Sequence, residues 1–231
     1  MCAAFLFAGT DGQFARQFSA ILSENHDPLV QAGILPVKRD TFVATYRDLG
    51  HEANLINALS GGTTPRDLVL DNRHFFASPS SIFSQHGLFP NCEKRMTDFA
   101  AATSGSTVYI ILCIENLPEF FLRTKNSKLE EKIASTDWST LIDLSWLDVV
   151  RNISSKVSHG GVLVIPGEFS AMSLPLLFSV FSDHIELSQV RGVFALARRL
   201  YGAAAAKRTS EIIMDGPGTH DDMMSELGRL W

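Results

Sequence analysis

The sequence predicts an α/β three-layer sandwich, with a mostly parallel central sheet and helices on both faces. Three observations carry this. "CAAFLFA" (2–8) is a continuous apolar run without alternation, the pattern of a strand covered on both faces, "STVYIILCI" (106–114) is the clearest strand of the chain, and "GGVLVIPGE" (160–168) reads as another buried strand. The segments between them carry helical periodicity, and strands separated by helices imply right-handed crossovers into a parallel sheet. No internal repeat or low-complexity linker interrupts the 231 residues, so residues 1–231 are expected to form one domain.

Taken in order, the first apolar run is a buried strand, and from Gln13 the pattern turns helical. Phe14, Phe18, Ile21, Leu22 and Leu29 fall on one face, with "HDP" at 26–28 as an interruption. "HEANLINALSGG" (51–62) reads as a short helix ended by a glycine pair. "RDLVLDNRHFF" (66–76) offers a strand and "NCEKRMTDFAAATSG" (91–105) a helix. After the strand at 106–114, "PEFFLRTKNSKLEEKI" (118–133) is helical, with Pro118 suited to a first turn. "WSTLIDLSWLDVVRNISSKV" (138–157) reads as one long amphipathic helix, followed by a buried strand at 160–168. "SLPLLFSVF" and "ELSQVRGVFALARRLYGAAAAKR" add helices before a polar tail. The phenylalanines at 75, 76, 83, 89, 120 and 121 sit at strand or helix spacing and are expected in the core.

Composition excludes several classes. A hydrophobic content of 45% with 19% charged residues suffices for a sizeable core. The net charge of −5 argues against a broad nucleic-acid surface but leaves room for a local basic pocket. Three widely spaced cysteines, Cys2, Cys92 and Cys113, make neither a disulfide framework nor a paired metal-ligand set. No apolar run approaches the roughly 18 residues needed to cross a bilayer. "MCAAFLFAG" lacks the basic flank of a signal peptide, so a cytoplasmic location is expected. "Asp215…His220-Asp221-Asp222" contains metal-ligand residue types, but the acidic pair fits a helix N-terminus better and no metal is expected.

The first strand-to-helix turn is where a parallel sheet binds anions, through backbone N–H groups and the positive end of the helix dipole. Gly9, Thr10, Asp11, Gly12 and Gln13 occupy it. The stretch from Phe5 to Pro36 resembles the start of bacterial sulfotransferase-like proteins of the P-loop superfamily. "FLFAGT" supplies their strand and glycine-threonine pair, and "ENHDPLVQAGILP" supplies Asn25, Leu29, Gly33, Ile34 and Pro36 at matching spacing. "GHEANLINAL" (50–59) resembles the family's next segment. The resemblance covers the first 125 residues or so and implies a P-loop NTPase/sulfotransferase-like sandwich, a sulfate donor, PAPS, and transfer of a sulfuryl group to a hydroxyl acceptor such as a carbohydrate.

The turn departs from that pattern. Where the family has a lysine this chain has Gly12; the threonine becomes Gln13, the loop glycine Phe14, and two hydroxyl positions Ala15 and Arg16. The family's arginine for the donor's 3′-phosphate falls near Ile114 or Glu115, and its serine near Leu122 or Arg123. Phenylalanine at a glycine position puts a ring where the backbone must curl round a phosphate. The opening turn is therefore expected to run directly into its helix, with Phe14 packed on the sheet.

The main expectation is a sulfotransferase-like protein with a degenerate P-loop, a pseudoenzyme that has lost PAPS binding and serves as a non-catalytic binding or assembly protein. Its partner would be a small anionic ligand or another protein, with neither nucleic acid nor membrane. Against it stands an active sulfotransferase with a rebuilt donor site, or another enzyme using a phosphorylated ligand. The rebuilt site would bind PAPS with Arg16 and Arg73 beside the turn, and His51 or His74 would take the acceptor proton. Each has a bland alternative: Arg16 as a solvated helix residue, His51 as a turn residue, His74 as a half-buried hydrogen-bonded residue. Lys38, Arg39 and Arg73 make either a basic rim for an anion or ordinary solvated surface.

Overall fold

The computed structural model describes residues 2–10, 12–49, 54–63, 65–78, 81–84, 87–123, 127–157, 159–167, 170–179 and 189–214. Strand β1 (Ala3–Gly9) leads into helices α1 (Gln13–Glu24) and α2 (His26–Gln31), then strand β2 (Ile34–Val37). Helices α3 (Arg39–Asp48) and α4 (Leu55–Ser60) precede strand β3 (Asp67–Asp71). A small hairpin, β4 (Phe83–Ser84) with β5 (Gly87–Leu88), precedes α5 (Cys92–Ala102) and β6 (Thr107–Ile114). Helices α6 (Leu117–Arg123), α7 (Ser127–Ala134), α8 (Trp138–Ile142) and α9 (Trp146–Ser154) lead to β7 (Gly160–Pro166). Helices α10 (Ser170–Ser179), α11 (Ala195–Tyr201) and α12 (Ala203–Met214) follow.

Five strands form one parallel sheet in the order β2-β3-β1-β6-β7. The apolar runs explain the arrangement: β1 is central and lies between β3 and β6, with Phe5 level with Val69 and Tyr109. Alternate residues face opposite ways along each strand. Ala4, Leu6 and Ala8 of β1 join Leu68, Leu70, Ile110 and Leu112 in one core, which α3, α5 and α9 cover with Phe42, Phe99 and Val149. Phe5 and Phe7 join Val69, Ile111 and Cys113 in the other, which α1, α10 and α11 cover with Phe18, Phe178 and Ala197. Helices thus sandwich a buried parallel sheet, as expected.

Several details differ from the sequence reading. The segment 138–157 is two helices, because the Ser145 side chain accepts from the Leu147 N–H at 3.1 Å and caps a new helix. Strand β7 is an edge strand with Leu163 44% exposed, so its apolar run does not mark burial on both faces. Helix α3 and strand β2 lie in a stretch that the sequence reading leaves without elements; α3 buries Phe42 alone. Gly202 separates α11 from α12. The aromatic residues Phe75, Phe76, Phe83, Phe89 and Phe120 are buried, as expected.

Candidate functional site

The opening turn at the carboxyl edge of this sheet is built on β1. From β1 the chain leaves toward α1 on one face, whereas the connections after β3 and β6, its two neighbours, reach helices on the other, the arrangement in which open parallel sheets bind ligands. Gly9 ends β1 at φ 124°, and a Cβ there would fall on the Cys113 carbonyl of β6. Its N–H donates to the Arg73 carbonyl at 3.2 Å. Thr10 is buried, with its N–H donating to the Cys113 carbonyl at 3.2 Å and its hydroxyl to the Cys113 sulfur at 3.9 Å. Gly9 and Thr10 therefore bind β1 to its neighbours.

Gly12 is the N-cap of α1, extended at φ −85° and ψ −177°, and its carbonyl accepts from the Arg16 N–H at 3.2 Å. The helix starts at Gln13, and one residue on, Phe14 is 2% exposed, its ring 5.8 Å from Phe7 and 6.4 Å from Phe18. Phe14 is thus packed on the sheet, as the sequence predicts. Arg16 is exposed on the same helix. Against Gly12 lies the carboxylate of Glu115, just beyond β6: a Cβ on Gly12 would meet its Oε1, and the carboxyl carbon would be 3.0 Å away. The Trp146 indole N–H holds the Glu115 carbonyl at 2.8 Å, and that ring lies 5.5 Å from Phe89 in the core. A negative side chain therefore faces the positive end of α1, the place a bound anion would take.

At the end of β3, Asp71 continues the parity of Val69 and so faces the α1 side. Burial pushes its carboxyl above the usual range, opposed by the Ser19 hydroxyl and by Arg73, Arg39 and His74. The next residue, Asn72, is 6% exposed; its N–H donates to the Phe7 carbonyl at 3.1 Å and its carbonyl accepts from the Phe75 N–H at 2.8 Å.

On the α3 and α5 side, a cleft of about 450 Å³ opens beside the end of β3. Arg39, Arg47, Arg95, His74, Tyr46 and Asn72 line it, and Phe42 and Phe75 form its apolar wall. Phe42 and Tyr46, one turn apart on α3, stack at 5.6 Å. The Arg95 guanidinium donates to the Phe75 carbonyl, which fixes its position. Asp98 on the rim pairs with Lys94 at 2.7 Å. Burial, reinforced by Asp98 and opposed by Arg95, pushes the Tyr46 phenol upward, so its hydroxyl stays protonated at neutral pH.

The fold thus brings Arg39 and His74 together in one cleft and leaves Arg16 on the other side of the sheet. Arg73 is half-buried beside Asp71. His51, Asp11 and the 215–222 segment lie outside the described residues, as does the side chain of Gln13. Sequence reasoning passed over Glu115 and Asn72 as site residues, and over Arg47 and Arg95, which α3 and α5 carry into the cleft. The sequence reading touched Glu115 only as one of two positions, with Ile114, near which the resemblance would put an arginine. Among the described residues no group of three His, Cys, Asp or Glu side chains could hold a metal ion, and no helix is long and apolar enough to cross a membrane. No protein-family model, curated protein or solved structure matches the chain.

Proposed function

We propose that this chain is a divergent sulfotransferase-like protein of the P-loop superfamily that has lost ordinary PAPS binding and acts as a non-catalytic binding protein. The carrying observation is the Glu115 carboxylate lying against Gly12 at the N-terminus of α1. A carboxylate there repels an incoming phosphate and already takes the favourable interaction with the helix dipole. Phe14 adds to this, since its ring is committed to the core and cannot leave the turn without exposing Phe7 and Phe18. Glu115 also stands near the place of the family's 3′-phosphate arginine, which reverses the charge that the donor needs. The rebuilt donor site finds less support: Arg16 sits on α1, while His74 lines a cleft on the α3 and α5 side.

Calorimetric titration with PAPS and with its desulfated product tests the reading. Dissociation constants no tighter than about 1 mM, near −4 kcal/mol, are expected. Micromolar binding by the unmodified protein, or sulfuryl transfer from PAPS to a sugar hydroxyl, would overturn it.

A further inference from the structure

The α3 and α5 cleft has the makings of a ligand site that the opening turn lacks. Its charge is the first sign. Three guanidinium groups, Arg39, Arg47 and Arg95, line it against one carboxylate, Asp98, which Lys94 already neutralises at 2.7 Å. This positive patch occurs on a chain of net charge −5, so it is a local feature and no part of a general basic surface. Arg47 makes no ion pair or hydrogen bond among the described residues, and Arg95 is oriented by a single donor to the Phe75 carbonyl, which leaves the rest of its fork for a ligand.

Asn72 is the second, independent sign. Its side chain lines the cleft at 6% exposure, and no hydrogen bond reaches its carboxamide among the described residues. A buried amide without a partner costs about 1–3 kcal/mol, a cost that a ligand in the cleft would relieve. The third is the apolar wall, where half-buried Val43 and Tyr46, backed by the buried rings of Phe42 and Phe75, offer a surface to a flat apolar body. The volume of about 450 Å³ suits a molecule of one or two rings with a head group.

We infer that this cleft binds a phosphate monoester carried on a flat ring. The phosphate dianion would lie among Arg39, Arg47 and Arg95, where planar forks match its oxygens, and the ring would rest on Val43 and Tyr46. Asn72 and the protonated Tyr46 hydroxyl supply the neutral hydrogen bonds that orient the ester. The inference deepens the proposed binding role and rests on it, but does not depend on the loss of the donor turn.

The test is titration of the full chain with phenyl phosphate, inorganic phosphate, benzoate and phenol at fixed ionic strength, with PAPS as a separate titrant. Phenyl phosphate is expected to bind below about 1 mM and at least about tenfold tighter than inorganic phosphate or benzoate, with phenol not binding. Arg47→Gln and Arg39→Gln, both at exposed positions, should each weaken it by about tenfold while leaving the far-ultraviolet spectrum unchanged. Failure of phenyl phosphate to bind at several times that concentration, equal affinity for benzoate, or binding indifferent to both arginine variants would overturn the inference. PAPS binding that survives both arginine variants would sit at the donor turn, and would overturn the proposed function while leaving the cleft's ligand untouched.

Discussion

The carboxylate of Glu115, at the end of β6, lies against Gly12, the N-cap of α1, so the strand beside β1 supplies an anion to the helix that follows β1. Gly12 gives α1 no side-chain cap, and the first turn of that helix contains no acidic residue. The Glu115 charge compensates for both. Glu115→Gln should cost about 0.3–1 kcal/mol in urea denaturation, and the difference should shrink in high salt. A cost that salt leaves unchanged would mean that packing, not charge, makes the contact.

The two glycines of this turn should differ sharply in tolerance. Gly9→Ala meets main-chain atoms of Cys113 at a φ of 124°, and neither can yield, so a loss of about 3 kcal/mol or more is expected. Gly12→Ala meets the movable end of Glu115 and should cost about 1 kcal/mol, the usual penalty of alanine at an N-cap. In a Glu115→Ala background that smaller cost should fall further, which a double-mutant cycle will read.

Introducing the lysine that the resembling family carries in this turn should not create PAPS binding. Gly12→Lys alone is expected to leave PAPS binding no tighter than about 1 mM, because Phe14 and Glu115 still fill the turn. Phe14→Ala should destabilise the chain by about 3–5 kcal/mol, since it empties a ring site between Phe7 and Phe18. Calorimetry with PAPS and thermal melting check the two variants side by side.

Asn25 should prove structural. Its carboxamide donates to the Ile21 and Arg191 carbonyls at 2.8 and 2.9 Å and accepts from the Arg191 N–H at 2.7 Å, joining α1 to a segment 166 residues away. Asn25→Ala leaves Arg191's main-chain groups without this partner and should cost about 2–3 kcal/mol. Hydrogen exchange should show the Arg191 amide losing protection first.

Asp71 should impose a pH dependence of definite sign. Burial raises its folded-state pKa above the ordinary 3.8, so folding takes up a proton between 3.8 and the raised value. Its stabilising contribution is complete below 3.8 and is lost as pH rises through the folded value. Asp67 titrates in the same direction, again through burial, and adds to the trend. Asp71→Asn should therefore flatten the decline in stability above pH 3.8, as followed by denaturation at several pH values, and be the more stable form at neutral pH. An unchanged pH profile would count against a buried charge at this position.

The sandwich was legible because its strands are marked locally. A strand buried on both faces must be apolar along its length, and β1 and the part of β6 from Ile110 to Cys113 announce themselves as unbroken apolar runs. The fate of Phe14 was readable as well, since a phenylalanine at the second position of an amphipathic helix has only the sheet to pack on. Short or weakly patterned elements were not: β2 has four residues, α3 buries one phenylalanine, and the break before α9 hangs on the Ser145 cap. What only the tertiary structure decided is the neighbourhood of each polar group. Glu115 meets Gly12 because β6 lies beside β1, and Arg39, Asn72 and Arg95 share a cleft because β3 lies between β2 and β1 with α5 packed alongside. Periodicity records which face of its own element a residue occupies, whereas strand order, set by the burial of whole surfaces, determines which distant residues that face will meet.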